Sequence, residues 1–469
     1  MLFNSLQFLY FFVIVIILYF LLPHKFRWIH LLLASSYFYM VFFPVYILIL
    51  GFTIIIDYFA GLYLEKLQGK NRKIFLVISL IANIGVLAVF KYYNFLNQNL
   101  SDFLSIFGHH SPLPILSILL PIGLSFHTFQ AMSYTIEVYR NNVKAEKNFG
   151  IYALYVMFFP QLVAGPIERP QNLLPQLHQR HHFDFEEFKC GLMQMAFGFF
   201  KKVVIADRLA MVVDDVYGHV DTQNGSTMLV AAFFYAFQIY CDFSGYSDIA
   251  IGAARIMGIK LMINFNVPYF SKSIAEFWKR WHISLSTWFK DYLYISLGGN
   301  RVSVPRWLIN LFLVFLISGL WHGANWTFVI WGALHGSYML FAIAKNKLNT
   351  YLKIPAIKGG VGKILQISTT FFLVCFAWIF FRATNFSHAM QIINKIAHIS
   401  LKDNLSFILN STEMWFCIIL ILILLLKERF YLKIQTRNTT TFFIVIALVI
   451  FSSYLFGIFN NKQFIYFQF

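Results

Sequence analysis

Apolar residues run in long blocks along this chain, separated by short polar segments that are mostly basic. A helix crosses the hydrocarbon of a bilayer with about 20 apolar residues. Blocks near that length fall at 8–22, 28–43, 45–63, 74–92, 114–136, 150–163, 189–212, 227–257, 306–320, 324–344, 364–383, 413–427 and 440–459. The pattern predicts an all-α polytopic membrane protein with about 11–13 membrane segments, the shorter or more polar ones being re-entrant or interfacial. No soluble domain fits between the blocks and no internal repeat is visible, so residues 1–469 read as one integral-membrane domain.

Two stretches depart from the lipid-facing pattern. In Phe158–Pro170, Pro160, Gly165, Pro166 and Pro170 prevent one regular helix. Broken backbone at membrane depth is tolerated where protein or a water-filled cavity covers it, which predicts a re-entrant turn in the first half of the stretch. In Glu276–Tyr292, the residues Phe277, Trp281, Leu285, Trp288 and Tyr292 recur at four- and three-residue steps. That period predicts a helix with one apolar face, lying in the interface or capping a cavity.

Composition agrees with the pattern. The chain is 59% hydrophobic and 12% charged, against about 45–50% and 25% for soluble domains. Its 56 Phe and 25 Tyr suit a lipid-facing surface with interfacial belts. The net charge of +17 sits between the apolar blocks, where the positive-inside rule places it, and is not a nucleic-acid signal. The rule puts Glu65–Lys73, Arg140–Lys147, Lys345–Lys363 and Lys427–Arg437 in the cytoplasm and leaves the uncharged Met1–Gln7 outside. Phe8–Leu22 lacks a basic lead-in and a small-residue cleavage site, so it reads as a retained span. Cys190, Cys241, Cys375 and Cys417 have no paired spacing, and neither a disulfide framework nor a zinc site follows.

The candidate chemistry lies where polar groups enter apolar blocks. His322, in Ile317–Trp326, falls at membrane depth, where an ionisable side chain marks function unless the bundle satisfies it. A second Trp-His pair, Trp281-His282, lies forty residues earlier. Asp242 and Asp248 interrupt another apolar run; they must face protein or water, either as partners of buried cations or lining a path. Imidazole takes and returns a proton near neutrality, and neither histidine has a metal-ligand spacing or a nucleophilic Ser or Cys motif beside it. Base-assisted transfer of an acyl group from a thioester to a hydroxyl fits these residues. If the stretch is helical, Ser318 and Asn325 lie near His322 and can orient it, while Trp321 and Trp326 exclude water. A proton-coupled transporter or flippase fits the same residues.

Five ordered stretches carry a resemblance. They are Pro121–Gln130, Phe159–Ile167, Asp242–Asp248, Trp278–Trp288 and Ser318–Trp326. Together they resemble the membrane-bound O-acyltransferase (MBOAT) family, in its bacterial branch of alginate and peptidoglycan O-acetylation membrane subunits. The match runs from about Pro121 to about His335, inside a motif-bearing core at about 120–345. The resemblance implies an MBOAT fold around a central funnel, His322 as the catalytic histidine and His282 as the second histidine position. It implies acetyl-CoA or another cytoplasmic thioester as donor, no metal, and an extracytoplasmic SGNH-type partner that passes the acetyl group to a polysaccharide. D-alanyl transfer to teichoic acid from a carrier protein is the alternative within the family. Trp321, Trp281, Ser318, Asn325 and Asp242 are expected to support the site. Lys279 and Arg280 are expected to meet donor phosphates or an acidic carrier, or to snorkel to lipid headgroups. His127 departs from the branch pattern, where an aromatic residue is expected, and reads as a packing substitute. The expected location is the bacterial cytoplasmic membrane.

Overall fold

A computed structural model describes residues 1–117, 120–353, 359–400, 402–430, 438–459 and 464. Parts of two basic loops, at 354–358 and 431–437, and residues 118 and 119 of the 114–136 block lie outside the described residues. The described residues are helical and contain no strand. They divide into two compact units, Met1–Met195 with Tyr246–Met262, and Ala196–Gly245 with Ile263–Phe469.

The first unit holds α1 (Leu6–Leu21), α2 (His24–Met40), α3 (Tyr46–Lys66), α4 (Gly69–Leu87), α5 (Tyr93–Ser105), α6 (Leu124–Tyr139), α7 (Phe149–Met157), α8 (Pro170–His178) and the start of α9 (Phe185–Phe200). The helices α3, α4 and α6 pack mutually, and α7 packs on α2 and α8. Along α3, Leu48, Phe52, Ile55 and Phe59 form an exposed apolar stripe suited to lipid, while Leu50, Ile54, Asp57 and Gly61 face inward.

Between α7 and α8 the backbone makes turns, and Phe158, Phe159, Gln161, Leu162, Val163 and Ala164 are all buried. Irregular backbone there is paid for by hydrogen bonds: Ser35 Oγ accepts from the Phe159 amide at 3.0 Å, and Gln161 Nε2 donates to the Tyr155 carbonyl at 2.9 Å. The N-cap of α6, Gly123, has φ +76°, and a Cβ there would lie 2.8 Å from the Leu162 carbonyl oxygen. Two of the five motif stretches are thus in direct backbone contact, and only glycine permits it.

Glu168 closes this turn region and is fully buried. Its carboxyl accepts from Asn172 Nδ2 at 2.5 Å and from the Met262 amide. Burial pushes its pKa from 4.5 up to about 7, against those hydrogen bonds and the charge of Arg169. The folded value lies above the unfolded one, so Glu168 contributes stability that is full below about pH 4.5 and is lost as pH rises through about 7. Thermal unfolding in detergent is therefore expected to occur at lower temperature at about pH 8 than at about pH 6, and Glu168→Gln is expected to lose that slope. Equal slopes in the two proteins would show that another group titrates.

The second unit contains α10 (Asp207–Gly218), most of α11 (Gly225–Ile256), α12 (Ile274–Trp278), α13 (Ile283–Trp288), α14 (Val304–His322), α15 (Trp326–Tyr351), α16 (Gly359–Arg382), α17 (Phe386–Ala397), α18 (Ser411–Arg429) and α19 (Thr439–Phe456). Asparagine starts many of its helices. Asn325, Asn385, Asn410 and Asn438 each accept an amide hydrogen in the first turn of α15, α17, α18 and α19. Such a cap satisfies an otherwise orphaned donor and stabilises by about 1 kcal/mol. Among the described residues seven helices are long and apolar enough to cross a bilayer. Other predicted blocks became shorter helices or turns, as at α7.

The helix predicted over Glu276–Tyr292 is not continuous. It breaks between α12 and α13, where His282 adopts φ +45°, and ends in a π turn at Phe289–Tyr294. Phe277, Trp281, Leu285, Trp288 and Tyr292 are nevertheless all buried. The period marked which side chains go inside, although the helix that was to carry them is split.

Candidate active site

The position of His322 follows from how α14 and α15 meet. A Cβ on Gly319 would lie 2.2 Å from the Phe328 carbonyl oxygen, and one on Gly332 would lie 2.4 Å from that of Phe315. The two helices therefore touch backbone to backbone one turn before His322. The helix α14 stops at His322 because Gly323 is extended, and Asn325 then caps α15 through the Thr327 amide at 3.0 Å. Its Nδ2 also donates to the Thr384 carbonyl at 2.8 Å. The helical relation that would bring Asn325 beneath the His322 ring does not arise, and its amide is occupied as a cap. Ser318 lies one turn before His322 and is buried.

His322 is buried in an aromatic shell. Its ring centroid lies 4.9 Å from Trp321, 5.0 Å from Trp331 and 5.2 Å from Phe381, all edge-on. Trp331 also stacks on Trp378 at 5.8 Å, and Trp378 meets Trp281 at 5.1 Å. Trp321 is buried as the sequence suggested, but Trp326 is 54% exposed and does not cover the histidine.

His282 sits on the same aromatic shell, with its ring 6.3 Å from that of Trp321. Its left-handed backbone conformation costs roughly 1–2 kcal/mol for a residue with a Cβ. A clasp around Asn264 holds it there. Asn264 Oδ1 accepts from His282 Nδ1 at 3.2 Å and from Ser284 Oγ at 2.8 Å, and the Asn264 carbonyl accepts from the Ile283 amide at 2.9 Å. Because an amide oxygen only accepts, His282 carries its proton on Nδ1 and presents Nε2 as a base. His282 lies between the spans α11 and α14, and burial pushes its pKa down to about 3, so the ring is neutral.

Asp242 has a buried cation partner. Lys202 Nζ lies 2.7 Å from its carboxylate and 2.9 Å from that of Asp207, and Lys201 Nζ donates to Ser244 Oγ at 2.8 Å. Both lysines come from a π turn, Lys201–Ala206, which re-aims side chains that a regular helix would point elsewhere. The next residue, Phe243, places its ring 4.6 Å from that of His282, so the ion cluster braces the second histidine from behind.

Lys279 is exposed, and Arg280 is half-buried with its guanidinium on Glu276 at 2.7 Å. Arg280 lines a cavity of about 240 Å³ together with Lys272, Lys363, Arg429, Glu276 and Glu428. Tyr240 connects this cavity to the shell, donating its hydroxyl to Glu428 and packing its ring on Trp281 at 5.9 Å. Among the described residues no three His, Cys, Asp or Glu side chains converge as a metal centre requires.

Sequence reasoning did not single out Trp331, His335, Trp378 or Phe381. His335 is fully buried, with its Nδ1 3.3 Å from Trp278 Nε1 and its ring 4.9 Å from Trp331. The available signal was the four-residue step from Trp331 to His335, which places both on one side of α15.

Residues 117–355 match the family model for membrane-bound O-acyltransferases. This chain belongs to the MBOAT family. It is 41% identical over 396 residues to the probable alginate O-acetylase AlgI of Pseudomonas aeruginosa, covering 83% of this chain and 74% of that protein. It is 37% identical to the peptidoglycan O-acetyltransferase of Helicobacter pylori, with 77% and 72% covered. The teichoic acid D-alanyltransferase of Bacillus subtilis is 29% identical, with 70% and 82% covered. The MBOAT protein described here is an acyltransferase, multi-pass in the bacterial cytoplasmic membrane. Both Trp-His pairs fall within the matched residues.

The backbone contact of α14 with α15 gives this acyltransferase a sharp test. Gly332→Val forces α14 away from α15 and moves His322 with it. A misplacement of about 1 Å at a reacting group can cost roughly a hundredfold in rate. Acyl transfer is expected to fall by at least about that factor with the protein still present in the membrane at wild-type amount. Unchanged activity would show that His322 is not positioned by this contact.

Proposed function

We propose that this acyltransferase moves an acetyl group from acetyl-CoA in the cytoplasm across the membrane for O-acetylation of an extracytoplasmic polysaccharide such as alginate or peptidoglycan. The observation that carries this reading is a buried, aromatic-walled His322 in a chain 41% identical to an alginate O-acetylase. His322 takes the proton of the attacking hydroxyl as its oxygen bonds to the thioester carbonyl. The carbon–sulfur bond then breaks, and the proton passes to the departing thiolate. His282, held on one tautomer by Asn264, positions or relays. The closed aromatic shell excludes the water that would otherwise hydrolyse the thioester. An SGNH-type partner outside the membrane completes delivery to the polymer.

The cavity around Arg280 supports a phosphate-bearing donor. Its cations outnumber its carboxylates, and Lys363 and Arg429, at the ends of α16 and α18, fall in basic stretches that the positive-inside rule assigns to the cytoplasm. D-alanyl transfer from a carrier protein is the weaker reading, because the D-alanyltransferase relative is 29% identical and the O-acetylases are 37–41% identical.

The test uses the full chain in lipid nanodiscs, with labelled acetyl-CoA or an alanyl-charged carrier protein as donor. Acetyl-CoA turnover is expected, and Arg280→Gln with Lys363→Gln is expected to raise its KM by about tenfold or more with kcat little changed. Turnover with the charged carrier alone would replace this proposal by the alanyl reading.

A further inference from the structure

A polar cluster in the first unit lies at membrane depth and is not used by the mechanism proposed above. Asp57, on the inward face of α3, is fully buried, as are Ser79 and Asn83 of α4 and Thr135 of α6. Ser79 Oγ lies 2.6 Å from Asp57 Oδ1 and 3.0 Å from Thr135 Oγ1. Thr135 Oγ1 lies 3.2 Å from the Met132 carbonyl oxygen. Asn83 Nδ2 lies 2.9 Å from Asp57 Oδ2, 3.0 Å from Oδ1 and 2.9 Å from the Ser79 carbonyl.

The hydrogens can be assigned. A backbone carbonyl only accepts, so the Ser79 carbonyl fixes the Asn83 amide with its NH₂ group towards Asp57. A metal cation placed there would face that NH₂ group, so the cluster is not a cation site. Asp57 makes no ion pair among the described residues. Of the helices packed on α3, α4 offers it Ser79 and Asn83, α6 offers Thr135 through Ser79, and α7 offers Tyr152, whose phenol interacts with it electrostatically. No charged side chain of α2, α4, α6 or α7 acts on the carboxyl among the described residues.

An uncompensated carboxylate at a helix centre in lipid costs about 2.5–3.5 kcal/mol on insertion scales. A neutral acid avoids that cost, and every donor hydrogen of the cluster then finds an acceptor, although the Asn83 Oδ1 acceptor stays unpartnered among the described residues. The Ser79 hydroxyl donates to Oδ1 when the carboxyl is ionised; with a proton on Oδ1 the 2.6 Å contact reverses, the Ser79 hydroxyl turns to Thr135 Oγ1, and Thr135 donates to the Met132 carbonyl. Asn83 then donates to the remaining oxygen, Oδ2. Every hydrogen has an acceptor, and the chain ends on a group that only accepts.

We propose that Asp57, with Ser79, Asn83 and Thr135, is an intramembrane proton-binding site whose ligand is a proton held on Asp57 Oδ1. The site pins α3, α4 and α6 together through a neutral acid. It stands whether or not the acetyl-transfer reading holds.

The test is infrared spectroscopy of the full chain in nanodiscs. A protonated carboxyl absorbs above the amide I band and a carboxylate below it. The spectrum of wild type minus Asp57→Asn at about pH 6 is expected to contain a protonated-carboxyl band that shifts down in heavy water, although a free aspartate, with a pKa of about 3.9, is ionised there. A carboxylate band in its place overturns the proposal. If Asp57→Asn does not fold, wild type with carbon-13 aspartate carboxyls serves instead. A labelled protonated band at the same pH that moves in Ser79→Ala supports the site, and its absence from wild type, or its indifference to Ser79→Ala, overturns it.

Discussion

His322→Ala is expected to abolish acyl transfer while leaving the fold intact. A positioned general base contributes about 10²–10⁴-fold, and His322 is flanked by indoles, with the second base of the shell, His282, beyond Trp321. Trp321 and Trp331 flank it edge-on, and His335 lies on the far side of Trp331. The expected result is a loss of that order in labelled-acetyl turnover and in envelope O-acetyl content, with equal amounts of protein in the membrane. His322→Gln is expected to fail equally, since it keeps polarity and size but cannot carry the proton. Turnover that survives either substitution would remove His322 from the chemistry. His282→Gln separates the roles of the two rings, because a positioning residue lowers the rate less than the base does.

The largest expected effect on stability comes from Lys202→Met. This substitution leaves Asp207 and Asp242 buried without their shared cation. Breaking a buried pair by removing one partner costs about 3–5 kcal/mol. The expected outcome is a large drop in the thermal midpoint in detergent, or failure to accumulate in the membrane. Asp242→Asn should cost less, because Lys202 keeps Asp207. Adding Asp207→Asn and Asp242→Asn to Lys202→Met should recover much of the loss, since three neutral groups replace two stranded charges. No recovery would mean that the geometry of the π turn, rather than charge, sets the stability.

Much of the fold was legible because lipid imposes a simple rule on length and apolarity. The rule says less about which face of a helix looks inward. In α3 the outward stripe of Leu48, Phe52, Ile55 and Phe59 is as apolar as the inward residues around Ile54, so only Thr53 and the ionisable Asp57 mark the interior by polarity. The two Trp-His pairs were legible because a titratable ring in an apolar block is costly and demands a reason. The shell around them was not. Trp331, Trp378 and Phe381 look like ordinary lipid-facing residues until tertiary packing turns them inward. The break at His282 was hidden for a related reason: its clasp comes from Asn264, eighteen residues earlier in sequence, and no local period reports it. Asn325 was misread in orientation because Gly323 ends α14 one residue after His322. Asp242 showed the reverse case. Its position left a buried cation or a path as alternatives, and Lys202 lies against it as such a cation.

Trp321 lies against both imidazoles, with its indole 6.3 Å from the ring of His282 and 4.9 Å from that of His322. It is the aromatic wall that the two histidines of the shell have in common. Direct return of the proton from His322 to the thiolate moves one proton, whereas a relay through His282 moves two. Measured across mixtures of light and heavy water, kcat is therefore expected to fall along a straight line for direct return and along a bowed curve for a relay.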